Sequence, residues 1–164
     1  MAKIKVFIII FLTLILQGSL YPFLNLGRGQ PDLVLILVVC FSILWGSKRG
    51  AVIGVTAGFL QDILYGHALG LFALTKMLTG YFSGFTEKNI YKDFVLGPMI
   101  IAFVLTFLHE GLVFVFSTEI MYLPLINVLN ESIFPRALYH FCLTPFAYLF
   151  LYFVNKKDFF YPFQ

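Results

Sequence analysis

The sequence predicts an all-α integral membrane protein, a bundle of about six transmembrane helices with both ends on the cytoplasmic side. Three observations predict it. Of 164 residues, 60% are apolar and 12% are charged, the latter about half the roughly 25% of a soluble domain. The apolar residues fall into six runs separated by short polar breaks. The basic residues collect in alternate breaks. A soluble domain of this length has too much surface to hide such a load, which includes 21 Phe; a bilayer removes the problem by acting as the apolar solvent. The length accommodates one membrane domain and no appended soluble one.

The elements follow in order. A hydrocarbon core of about 30 Å takes roughly 20 apolar residues as helix, with a range of about 17–25. The first run, residues 4–24, is too long for the apolar part of a signal peptide and no small-x-small cleavage site follows it, so it reads as an uncleaved span. A polar break ends in Pro31-Asp32, which suits a helix start: Pro fits the first turn and a carboxylate complements the N-terminal dipole. The second span is 33–46, closed by Ser47-Lys48-Arg49-Gly50, and the third is 51–65. Gly66-His67 reads as a tight turn before the fourth span, 68–85. A polar loop at 87–93 precedes the fifth, 94–117. Residues 118–130 mix Glu119, Pro124, Asn127 and Asn130 with apolar positions and read either as an interfacial loop or as a short re-entrant helix. Pro135 starts or kinks the sixth span, 135–154. The aromatic tail after Lys157 suits the interface. The second and third spans are short, which implies little tilt, local thinning of the bilayer, or shielding by neighbours.

Charge sets the orientation. With the N-terminus inside, the cytoplasmic segments carry Lys3, Lys5, Lys48, Arg49, Lys88, Lys92, Lys156 and Lys157, and the outer segments carry Arg28 and, at a border, Arg136. Eight against one or two obeys the positive-inside bias. A five-span layout would put Lys156 and Lys157 outside. The net charge of +3 comes from these scattered pairs, with no basic patch or stripe for nucleic acid. Cys40 and Cys142 sit in apolar runs and have no CxxC or Cys/His ligand spacing, so they read as small apolar side chains.

Ionisable side chains inside spans are costly, and they face the bundle interior, pair, or mark a site. Here they are Asp62, Lys76, His109, Glu110, Arg136 and His140. On the predicted topology they gather in the outer half of the bundle, with Arg136 and His140 one turn apart on one face. One reading makes them buried pairs that fix helix register, such as Asp62 with Lys76 and Glu110 with Arg136. A second makes them the lining of a ligand cavity or partner groove, and a third gives them catalysis. His109-Glu110 is not a zinc-protease HExxH, because position 113 is Val, and no other metal-ligand pairing stands at helical spacing. No cofactor is expected. Gly54 and Gly58, with Ala57 and then Asp62, form a small-residue stripe that lets another helix approach closely, and Gly80 and Gly84 repeat the spacing on the fourth span. Such a stripe reads as a helix-packing or partner interface.

The short second span opening Pro31-Asp32-Leu-Val-Leu-Ile-Leu, the basic turn, then Gly50-Ala-Val-Ile-Gly54-Val-Thr-Ala-Gly58-Phe-Leu-Gln-Asp62 and Gly70-Leu-Phe-Ala-Leu together resemble the rod shape-determining protein MreD family. The resemblance, most specific over 54–74, implies a non-enzymatic component of the bacterial cell-elongation machinery in the inner membrane. It would sit with the bitopic protein MreC, near the MreB filament and the RodA glycosyltransferase with its class B penicillin-binding partner, and couple filament geometry to peptidoglycan synthesis. The alternative is the substrate-binding subunit of an energy-coupling-factor vitamin transporter, also a small six-span protein with an outer cavity. The first span here lacks the AxxxA alanine stripe with which those subunits dock.

Overall fold

The computed structural model describes residues 2–24, 29–65, 69–86, 95–116 and 129–156. Among them the elements are α1 (Ala2–Leu24), α2 (Leu33–Trp45), α3 (Ser47–Tyr65), α4 (Leu71–Phe85), α5 (Leu96–Phe116), one π-helical turn (Leu129–Ile133) and α6 (Phe134–Lys156). Every regular element among the described residues is helical. The helices follow the six predicted runs to within a few residues. The largest shift is at α3, which begins at Ser47: Lys48 and Arg49 form its first turn instead of a loop. Gly46, at φ 87, makes the reversal between α2 and α3 in a backbone region where a Cβ would be strained. The predicted Gly66-His67 turn, the 87–93 loop, most of 118–130 and the aromatic tail lie outside the described residues. Pro135 is the second residue of α6, directly after the π-helical turn.

The helix α2 is the axis of the bundle. Every residue from Val34 to Trp45 is buried, and α2 packs against α1, α3, α4, α5 and α6. Its 13-residue length therefore goes with shielding by neighbours. Antiparallel pairs surround it. On α1, Val6, Ile10, Leu14 and Gln17 face inward while Ile4, Phe7, Ile8, Phe11 and Leu12 are exposed. The start of α1, the start of α3 and the end of α6 lie at one end of the bundle. Ile4 and Lys48 line the same groove there, and Trp45 Nε1 donates to Asn155 Oδ1 at 3.1 Å.

The surface is apolar on every helix except the enclosed α2. Exposed large side chains include Val52, Phe59 and Ile63 on α3, Tyr81 and Phe85 on α4, Ile100 and Val104 on α5, and Phe146 and Phe150 on α6. Water does not tolerate so continuous an apolar coat, and a lipid environment does. Two helical stretches, Leu96–Phe116 and Leu129–Asn155, are long and apolar enough to cross a membrane alone; Ile4–Leu20 and Leu33–Trp45 are shorter apolar segments.

Because lipid chains are as apolar as Leu, helices in a membrane associate through close packing. The tightest contact here is between α3 and α4. A Cβ on Gly58 would strike the backbone of Phe72 and Ala73, one on Gly54 the backbone of Lys76 and Met77, one on Gly80 the Gly50 carbonyl, and one on Gly84 the Gly46–Ser47 backbone. The predicted stripes thus meet each other in an antiparallel register, and Gly50 extends the one on α3. This backbone contact sets the depth and rotation of Lys76.

Candidate functional site: a buried polar network

Most of the polar residues predicted to lie within spans build two hydrogen-bonded clusters around one cavity. The first centres on Asp32, the N-cap of α2, whose Oδ1 accepts from the Leu35 amide at 3.1 Å. Its Oδ2 forms an ion pair with Lys76 Nζ of α4, both side chains being buried. Gln61 of α3 donates to the same Oδ2 at 3.4 Å. The Asp32 amide donates to His140 Nε2 of α6 at 2.8 Å, and Thr106 Oγ1 of α5 lies 2.7 Å from His140 Nδ1. A backbone N–H can only donate, so Nε2 carries no proton and the His140 proton sits on Nδ1, pointing at Thr106. Thr106 in turn donates to the Ala102 carbonyl at 2.6 Å. Asp32 and its partners thus tie five helices together: α2, α3, α4, α5 and α6.

The second cluster is His109, Glu110 and Arg136. Glu110 Oε2 lies 2.5 Å from Arg136 NH1, and Oε1 lies 3.1 Å from His109 Nδ1. The other ring nitrogen of His109 meets Thr75 Oγ1 at 3.3 Å. Glu110 with Arg136 is the pair the sequence suggested, joining α5 to α6. Glu110→Gln and Arg136→Gln are each expected to destabilise the fold more than the double change does, with a coupling of about 1–3 kcal/mol in a double-mutant cycle. Additive losses in denaturant unfolding in mixed micelles would show no coupling.

The suggested pairing of Asp62 with Lys76 is not what forms. Asp62 instead accepts three backbone N–H groups at the start of α4: Phe72 at Oδ1 (2.9 Å), and Gly70 and Ala73 at Oδ2 (3.0 Å each). The first amides of a helix have no helical acceptor. The glycine at the N-cap of α4, Gly70 at φ 97, offers no side chain to cap them. A carboxylate from α3 supplies the cap in trans and lies at the positive end of the α4 dipole. Lys76, one turn deeper, faces α2, so Asp32 takes it. Asp62→Ala is expected to cost about 2 kcal/mol by leaving three partly buried helix-start amides without their acceptor, and Asp62→Asn, which keeps one acceptor oxygen, less than that. Equal melting temperatures for Asp62→Ala and the unaltered protein would refute the cap.

Asp32, Gln17 and Gln61 are the members that sequence reasoning missed. Asp32 was legible as a helix start, and that role is real, but a capping carboxylate has a second oxygen to spend. The available signal was Gln17 and Gln61, amide side chains within otherwise apolar stretches. Gln17 Oε1 accepts from the Val34 amide at 3.4 Å.

Between the clusters lies a cavity of about 280 Å³ bounded by Gln17, Gln30, Asp32, Gln61, Tyr65, Phe72, His109, Glu110 and Arg136. Gln61 Oε1 is buried beside it with no hydrogen-bond partner among the described residues. The cavity therefore offers an acceptor at Gln61, and its polar lining suits water or a small polar solute. Among the described residues no three His, Cys, Asp or Glu side chains converge closely enough to hold a metal ion. The buried hydroxyls of Ser42, Thr75, Thr79, Ser83, Thr106 and Thr144 each donate to a carbonyl of their own helix.

Neither the curated proteins nor the solved structures include a match to this chain. The family model described as rod shape-determining protein MreD matches residues 2–157. With nearly the whole chain covered, including the stripe on α3, the cap at Asp62 and both polar clusters, this protein belongs to the rod shape-determining MreD family.

Proposed function

We propose that this protein is a non-enzymatic, six-span component of the bacterial cytoplasmic membrane that couples an MreB filament and an MreC-like bitopic protein to peptidoglycan synthesis by RodA and a class B penicillin-binding protein. Family membership supports the rod-shape part of this reading. The observation that carries the mechanism is the partition of side chains. Ionisable groups turn inward and pair, Lys76 with Asp32 and Arg136 with Glu110, while large apolar side chains cover the outside. A protein built this way meets partners through lipid-facing helix surfaces and short loops, and its inner pairs keep those surfaces in fixed register. The hydroxyl pattern supports a structural role over chemistry, since the buried Ser and Thr hydroxyls of Ser42, Thr75, Thr79, Ser83, Thr106 and Thr144 donate to carbonyls of their own helices instead of to a base.

The same-end grouping of Lys5, Lys48, Arg49 and the end of α6 favours N-in, C-in placement under the positive-inside bias. The polar cavity then opens towards the outer half of the bundle. The MreD match takes away the ground for a vitamin-transporter subunit, whose ligand site the cavity would otherwise have suggested.

The test is affinity capture of the tagged chain from membranes, combined with its depletion in a rod-shaped host. The reading expects an MreC-like bitopic protein in the eluate and rounding of the cells. Rod-shaped cells after depletion, with no such partner captured, would refute it.

A further inference from the structure

A second cavity lies at the end of the bundle opposite the polar network. It is a groove of about 630 Å³ between α1 and α3, with Val6, Phe7 and Ile10 on one wall, Val52 and Ile53 on the other, and Trp45 at its end. Lys48 and Arg49, both exposed, stand at the same end, in the first turn of α3. Among the described residues no acidic side chain lines it. The groove exists because α1 brings bulky Ile and Phe side chains to α3, where α4 brings glycines.

We propose that this groove is a binding site for one anionic phospholipid, its acyl chain lying between α1 and α3 and its phosphate held by Lys48 and Arg49. The charge pattern selects the ligand. A neutral trough with two cations at one mouth complements a molecule that is apolar along its length and negative at its head. The cations also occupy a helix N-terminus, where positive charge is unfavourable and an anion is welcome. Basic pockets between membrane helices attract acidic headgroups for the same reason. A partner helix fits less well. The groove walls carry Phe7, Val52 and Ile53 in place of the small residues that allow close approach between α3 and α4. The proposal rests on the chain being embedded in a bilayer. It places the head at headgroup level whichever way the bundle is oriented, and it does not depend on the cell-shape role.

Trp45 is the one tryptophan of the chain and lines the groove, so its fluorescence reports the occupant. The full chain would be reconstituted in bilayers of phosphatidylcholine and phosphatidylglycerol, with bromine on the chains of one lipid at a time. Quenching is expected to give phosphatidylglycerol about tenfold preference at Trp45, falling to less than about twofold in K48Q/R49Q. K156Q/K157Q, an equal loss of charge near the same end, is expected to keep the preference. Equal quenching by the two lipids in the unaltered protein would overturn the proposal. So would a preference that survives K48Q/R49Q, or one lost equally in K156Q/K157Q, which would mean diffuse attraction. Failure of either lipid to quench would instead contradict the bilayer reading itself.

Discussion

Lys76→Met is expected to destabilise the bundle by about 3–5 kcal/mol, because it leaves the buried Asp32 carboxylate without its counter-ion. Asp32→Asn is expected to do comparable damage by leaving the buried Lys76 ammonium unpaired. The double variant removes both charges, and it is expected to recover most of the loss, as buried pairs replaced by neutral groups often do. Asn keeps an oxygen that can cap α2 and the backbone N–H that holds His140, so both contacts are expected to persist in the double variant. Unfolding of the purified protein by denaturant in mixed micelles measures all four corners of the cycle. Losses that simply add would mean the two groups do not depend on one another.

Gly54→Val is expected to cost at least about 3 kcal/mol, the upper end for overpacking. A side chain there runs into the Lys76 and Met77 backbone, which cannot rotate aside as a side chain can. Gly58→Val should behave alike, against Phe72 and Ala73. These changes also act on the polar network, since a wider α3–α4 separation would pull Lys76 away from Asp32. Gly111→Ala is the control. A Cβ there meets nothing within 4 Å, so the change is expected to be neutral or to stabilise by about 0.5–1 kcal/mol through lower unfolded-state entropy. Similar melting shifts for Gly54→Val and Gly111→Ala would contradict the close-contact account.

Most of this fold was legible in the sequence because a bilayer makes hydropathy a strong signal. The six helical runs, the small-residue stripes and the Glu110–Arg136 pair all follow from spacing and burial cost. Other features were not legible. Lys48 and Arg49 read as a loop because charge marks span ends, yet nothing in a helix excludes them, and α3 starts before them. The partner of Lys76 depends on which way Asp62 points, and that depends on α4 having only Gly70 at its N-cap. The capping need at the start of α4 outweighed an ion pair that the positions alone made attractive. The role of α2 as a central, fully enclosed helix was one of three explanations for its shortness, and only packing distinguishes among them.

The central claim is that the inner polar groups hold a scaffold in register and do no chemistry. The direct test is whether D32N/K76M and E110Q/R136Q, each produced in a rod-shaped host depleted of its own copy, restore the rod. The account predicts that variants which fold and reach the membrane in normal amounts give normal rods and still capture the MreC-like partner. Folded, partner-binding double variants that leave the cells round would contradict it, because the charges would then be needed for something beyond holding the helices in place.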